Sequence, residues 1–127
     1  MVKWINYVPL ENTFNEIEKR IDFKLPKDLK NIIKDYNKGC PSPNKIPLDN
    51  GKFAVFDRLL SFNTNETFTV YSSITDEMKK QKIIPFGVTD NNNFVCIKGE
   101  SIILYNVEHN AEKQISENFS AFLNMLE

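Results

Sequence analysis

Pro26 and the turn Gly39-Cys40-Pro41 bracket one segment so closely that its structure is almost dictated. Proline has a fixed φ and no backbone N–H. Both suit the first turn of a helix, where the amide has no intrahelical partner. Between these two points Leu29, Ile32, Ile33 and Tyr36 follow at i, i+3, i+4 and i+7, one apolar stripe at helical period. Gly39 is the expected left-handed cap, and Pro41 and Pro43 prevent the helix from resuming. Lys27, Lys30, Lys34 and Lys38 fall opposite the stripe. That face is either simply solvated or a dock for an acidic protein or a phosphate backbone. No aromatic residue interleaves the lysines, so base stacking has no support there.

Other elements are placed around this helix. Thr13 and Glu16 have capping-box spacing and predict an earlier helix, with Phe14, Ile17 and Ile21 on one face. Asp49-Asn50-Gly51 is a turn signal between strands at Lys45–Leu48 and Lys52–Phe56, and Leu59–Phe62 suggests a further short strand. Val70, Ile74 and Met78 suggest a helix over 67–81, although the β-branched run around Phe68–Tyr71 argues against it. Ile83–Phe86 is a short apolar strand, and residues 89–93 form a polar turn. Phe94–Lys98 and Ser101–Val107 pair across Gly99-Glu100 as a hairpin. A helix over Ser116–Leu126 closes the chain, with Phe119, Phe122, Leu123 and Leu126 on its apolar face. This order predicts a single α+β domain over 1–127, a mostly antiparallel central sheet flanked by helices.

Charge and cysteine usage exclude some function classes. The net charge is −1, so no strong field steers the chain toward nucleic acid or anionic lipid. The distribution is uneven. Residues 1–47 carry nine Lys/Arg against six Asp/Glu, and residues 48–127 carry seven against eleven. No apolar run approaches the roughly 20 residues that cross a bilayer. The first residues lack the apolar stretch of a signal peptide, so a cytoplasmic location is expected. Cys40 and Cys96 are distant and form no Cys-x-x-Cys pair, so two buried thiols are expected.

Residue patterns for catalysis are sparse. His109 is the one histidine, in a polar stretch with no glycine-framed nucleophile nearby. One histidine and two distant cysteines do not make a zinc site, and Asp90 to Asn93 lacks the spacing of a calcium loop. Four glycines, none paired, leave no phosphate cradle. A non-enzymatic protein without cofactor or metal is expected.

The ordered motifs resemble the SUKH superfamily, which includes bacterial immunity proteins and the yeast cell-wall-assembly regulator. The resemblance rests on Leu25-Pro26 opening a helix, Asn37 and Gly39 closing it, and Pro41 beyond. It continues with Ile84-Pro85-Phe86, the turn from Asp90 to Asn93, the strand from Phe94, and Asn118-Phe119-Ser120-Ala121-Phe122-Leu123. The chain departs from the pattern where Lys38 replaces a glycine and where Asn91 and Asn92 stand at usual glycine positions. Asparagine reaches the same left-handed backbone.

The resemblance implies an α+β fold and, most commonly in bacteria, an immunity protein. Such a protein binds and neutralises a toxin, frequently a nuclease, by stoichiometric occlusion. The toxin would be the C-terminal domain of a neighbouring gene product, with no direct nucleic-acid or membrane partner. The motif residues are expected to be mostly structural. For a nuclease toxin an acidic surface would serve, and the candidates are Asp57, Glu66, Asp76, Glu77, Asp90, Glu100 and Glu108. The alternatives are a regulatory or scaffold module without a toxin, which a solitary gene would favour, and an enzyme with a small-molecule pocket, for which no residue pattern speaks.

Overall fold

The computed structural model describes residues 2–127. Thirteen elements alternate along the chain: β1 (Lys3–Ile5), α1 (Asn15–Ile21), α2 (Lys27–Tyr36), β2 (Cys40–Ser42), β3 (Lys45–Pro47), β4 (Phe53–Leu59), α3 (Val70–Ser73), α4 (Asp76–Gln81), β5 (Ile83–Thr89), β6 (Phe94–Lys98), β7 (Ser101–Asn106), β8 (Ala111–Ser116) and α5 (Phe119–Met125). Strands β3 to β8 form one curled antiparallel sheet in chain order, and β1 pairs with β2 in a separate ribbon. The class is α+β, as expected.

Alternation along the central strands places apolar residues on both faces of the sheet. Val95 and Ile97 of β6 and Ile102 of β7 join the main core, with Ile17, Leu29, Ile33, Phe119 and Phe122 from α1, α2 and α5. The residues between them, Cys96, Ile103 and Tyr105, face the other way and pack with Ile83 beneath Met78 of α4. A sheet covered on both sides needs apolar residues at successive positions, and β5 is buried at all seven of its own.

The main core is aromatic. Phe86 makes edge contacts with Phe56, Phe119 and Phe122, at centroid distances of 6.4, 5.6 and 6.1 Å. Gly87 admits this cluster, since a Cβ there would lie 2.6 Å from the Phe56 ring.

The ends of the sheet are treated differently. Lys45 of β3 exchanges two backbone hydrogen bonds of 2.9 Å with Glu127, so the last residue covers that edge. The Lys113 ammonium of β8 reaches across the curl to Asp49, at 2.7 Å, and holds the Asp49 carboxyl below its ordinary range.

The structure corrects several expectations. Phe14 occupies the N-cap of α1 without a side-chain cap, because Glu16 pairs with Arg20 at 3.1 Å and does not close a box with Thr13. The left-handed residue after α2 is Lys38 (φ 66°), not Gly39. Gly39 is needed for space, since a Cβ would meet the Tyr36 carbonyl oxygen at 2.8 Å. The helix expected over 67–81 is two short helices, each restarted by a threonine: Thr69 accepts from the Ser72 N–H and Thr75 from the Met78 N–H. Beyond Leu59 no separate strand forms; Ser61 makes a single bridge to Thr69. Ser116 ends β8, and α5 starts only after Asn118, whose side chain accepts from the Ala121 N–H at 2.8 Å. The lysine face of α2 is not continuous. Lys30 pairs with Glu18 at 2.8 Å and Lys38 with Glu66 at 3.6 Å, leaving Lys27 and Lys34 exposed.

Phe86→Ala should destabilise the protein by about 3–5 kcal/mol in denaturant unfolding, the range for emptying a fully buried aromatic site. Lys38→Gly should act in the opposite sense. A left-handed backbone costs an L-residue about 1–2 kcal/mol, partly offset by the flexibility that glycine adds to the unfolded chain. A gain of at most about 0.5–1 kcal/mol is expected in the same measurement, reduced by loss of the 3.6 Å ion pair to Glu66, whose partners are 25% and 22% exposed.

Candidate protein-binding surface

Antiparallel order puts three turns at one end of the sheet: Asp49–Gly51 between β3 and β4, the turn from Asp90 between β5 and β6, and Val107–Asn110 between β7 and β8. Asp90 is tied to this end. Its N–H donates to the Val55 carbonyl at 3.1 Å, and its carboxylate accepts from the Val55 N–H at 3.3 Å. Asp57 follows two residues along β4, and Glu108 projects from the β7–β8 turn. All three are exposed, and no cation lies within salt-bridge distance of them among the described residues.

The other acidic candidates are placed elsewhere. Glu100 sits in the β6–β7 turn at the opposite end of the sheet. Glu66 is half-buried between Lys38 and the Asn63 amide, so its charge is already engaged. Asp76 and Glu77 open α4 over the second face, where Glu77 accepts from Gln81 at 3.1 Å. Asp57, Asp90 and Glu108 thus lie toward one end of the sheet, Glu100 lies at the other, Glu66 is paired internally, and Asp76 and Glu77 lie on α4.

A groove of about 370 Å³ lies beside this end, lined by Phe68, Phe94 and Val107 and by the hydroxyl residues Ser72, Ser73 and Thr75. Phe68 and Val107 are 48% and 36% exposed. Nothing in the sequence marked Phe68, a lone aromatic in the polar run Thr64 to Thr69. A second depression of similar volume, under α1, is lined largely by charges, including Glu18, Lys19, Asp22 and Lys24. Glu18 there is committed to the Leu25 N–H and to Lys30.

The model of the SMI1 / KNR4 family (SUKH-1) matches residues 9–125. The chain belongs to that family. Comparison with curated proteins and with solved structures gives no match.

Several SUKH motif positions have clear roles in the fold. Buried Asn37 joins three segments. Its carbonyl accepts from the Val8 N–H, its side-chain oxygen from the Phe62 N–H at 2.9 Å, and its amide donates to Ser61 at 3.2 Å. Pro26 is the N-cap of α2, Leu25 is in the core, and Pro41 pairs with Trp4 in the β1–β2 ribbon. Asn93 closes the Asp90 turn, its carbonyl accepting from the N–H and hydroxyl of Thr89. Pro85 and Phe86 belong to the buried strand β5.

No group of three or more His, Cys, Asp and Glu side chains among the described residues could hold a metal ion, and no helix is long and apolar enough to cross a membrane. His109 is exposed in the β7–β8 turn. Cys96 is fully buried, and desolvation, with Glu112 adding, pushes its thiol well above the ordinary range. Cys40 is only half-buried, against expectation. A thiolate is the reactive form of cysteine. Ellman's reagent should therefore reach Cys40 in the native protein and Cys96 only after unfolding; equal labelling of both would contradict the packing of α4 on the sheet.

Proposed function

We propose that this SUKH-1 chain is a non-enzymatic immunity protein, one domain over residues 1–127. It acts in the cytoplasm by binding and neutralising a protein toxin encoded by a neighbouring gene. Family membership supports a role in protein–protein interaction, and SUKH-1 proteins are generally non-catalytic. The observation that carries the reading is the group of exposed, unpaired carboxylates Asp57, Asp90 and Glu108 at one end of the sheet. Carboxylates held on strands and tight turns present fixed negative charge to a basic surface, which speeds encounter and selects partners. A nuclease, which must hold a phosphate backbone with cations, is a toxin of the matching sign.

The mechanism is occlusion. The immunity protein covers the toxin's working surface one-to-one, and nothing is turned over. A stable complex of this kind buries about 1,200–2,000 Å².

Growth rescue tests the reading. The C-terminal domain of the adjacent gene product is expressed in a sensitive host with and without this protein. Rescue with one-to-one co-purification is expected, along with weaker binding for Asp90→Lys and Glu108→Lys and unchanged binding for Glu100→Lys, at the opposite end of the sheet. Toxicity that the folded protein does not relieve would move the weight to a regulatory module.

A further inference from the structure

Phe68 is held in a conformation that its side chain does not favour, and it is held there in water. Eight non-glycine residues among those described have positive φ: Asn50, Asn92 and Asn110 lie in the three turns at one end of the sheet, a fourth asparagine is Asn6, and the others are Asp22, Lys38, Lys82 and Phe68. Phe68 (φ 56°) is the one apolar side chain among them. Asparagine and aspartate reach this region with local polar contacts, whereas a bulky apolar residue gains nothing there.

The backbone on both sides explains how the strain is kept. Asn63 is buried and fixed by the Glu11 N–H at 2.7 Å and by the Pro9 carbonyl at 3.0 Å. Thr69, also buried, caps α3, and the Ser61 N–H donates to the Phe68 carbonyl at 3.4 Å. The Arg58 guanidinium lies over the ring, 5.3 Å from its centroid. Cross-strand register places Arg58 opposite Val88 and Val88 opposite Phe94, so all three share one sheet face, and Phe94 among them lines the groove. Arg58 Nε is buried without a hydrogen-bond partner. Backbone strain retained on a half-exposed aromatic, braced by an otherwise uncommitted arginine, is characteristic of a binding site and not of a core.

We propose that the groove between Phe68, Phe94 and Val107 is the anchor point for a protein partner, and that the occupant is an apolar side chain flanked by basic residues. Shape gives the apolar part: an aromatic rim with a hydroxyl wall at Ser72, Ser73 and Thr75. Charge gives the flanks. Glu108 follows Val107 directly, the Asp90 turn leads into Phe94, and both carboxylates lack a cation. An apolar centre inside a charged rim is the usual anatomy of a protein interface, with aromatic anchors dominating its energy. The proposal rests on the protein-binding reading above but not on the partner being a toxin.

Phe68→Gly supplies the test, because glycine accepts the left-handed backbone freely. The full-length chain and this variant are panned against a random peptide library, and both are titrated with the adjacent gene's C-terminal domain. The native chain should enrich peptides with an aliphatic or aromatic residue between Lys or Arg. Phe68→Gly should lose that enrichment and bind the domain at least tenfold more weakly, while melting no lower than the parent. Phe53→Ala, an exposed aromatic outside the groove, should change neither. Enrichment of acidic peptides, or binding by Phe68→Gly equal to the parent's, would overturn the proposal. Rescue by a Phe68→Gly variant of full affinity would remove the groove and leave immunity standing; peptide selection without rescue would do the reverse.

Discussion

Burial of β5 along its whole length sets the terms for the rest of the structure. A strand that water does not reach must find a partner for each backbone polar group. Pro85 has no N–H to offer, and a proline in a central strand is tolerated only where the ladder is interrupted. The ladder is interrupted there: register shifts between Pro85 and Gly87 against β6, and the Phe86 carbonyl accepts instead from the Leu60 N–H at 2.8 Å. That bond ties the segment after β4 to the bulge. The bulge aims Phe86 into the aromatic cluster, and Gly87 makes room for the Phe56 ring. Helix α5 adds Phe119 and Phe122 to the same cluster. The Pro-Phe-Gly sequence is therefore one device with three functions, and the other elements pack around its consequences.

Much of this order was legible in the sequence because it depended on periodicity and punctuation. Helix α2, the β3–β4 turn and the β6–β7 hairpin all follow from local patterns that tertiary contacts reinforce. The failures lie where local pattern was silent or outvoted. Strand β8 reads Ala-Glu-Lys-Gln-Ile-Ser, with no alternation, because it is an edge strand that buries almost nothing. Strands β1 and β2 are three residues each and exist by pairing with one another. The single helix expected over 67–81 ignored two threonines, each of which offers its hydroxyl to an amide and restarts the chain. Gly39 is not the left-handed cap that its place after the stripe suggests: it relieves crowding against Tyr36, while Lys38 takes the left-handed position.

The candidate surface was legible only in composition. Seven carboxylates stood out by sign, but sequence order does not say which turns share an end of the sheet. Antiparallel order decides it, gathering Asp57, Asp90 and Glu108 and sending Glu100 to the opposite end. Internal pairing then removes Glu66, just as it removes Lys30 and Lys38 from the lysine face of α2. Internal ion pairs thus take two of the four lysines on the α2 face and one of the seven acidic candidates. The charge left for a partner is smaller than the count implies, and it includes the cations Lys52, beside the β3–β4 turn, and Arg58, over the Phe68 ring.

Lys38 and Phe68 show how two similar strains differ in meaning. Both are non-glycine residues with positive φ, and they sit on segments joined through Glu66, which Lys38 pairs with. The Lys38 position is imposed by the fold: α2 must end, Asn37 must reach Ser61 and Phe62, and the chain must pass Tyr36 closely at Gly39. Any residue there would meet the same requirement, and glycine would meet it at the least cost. Phe68 also turns the chain, into the Thr69 cap, but the turn does not explain its ring. A polar residue or glycine would make the same turn without leaving an aromatic half in water. What distinguishes Phe68 is the surrounding investment: an arginine stacked on the ring, and a groove whose other wall is built from different strands. Strain that the backbone needs can be relieved without consequence, whereas strain that presents a side chain is relieved only by giving up what that side chain contacts.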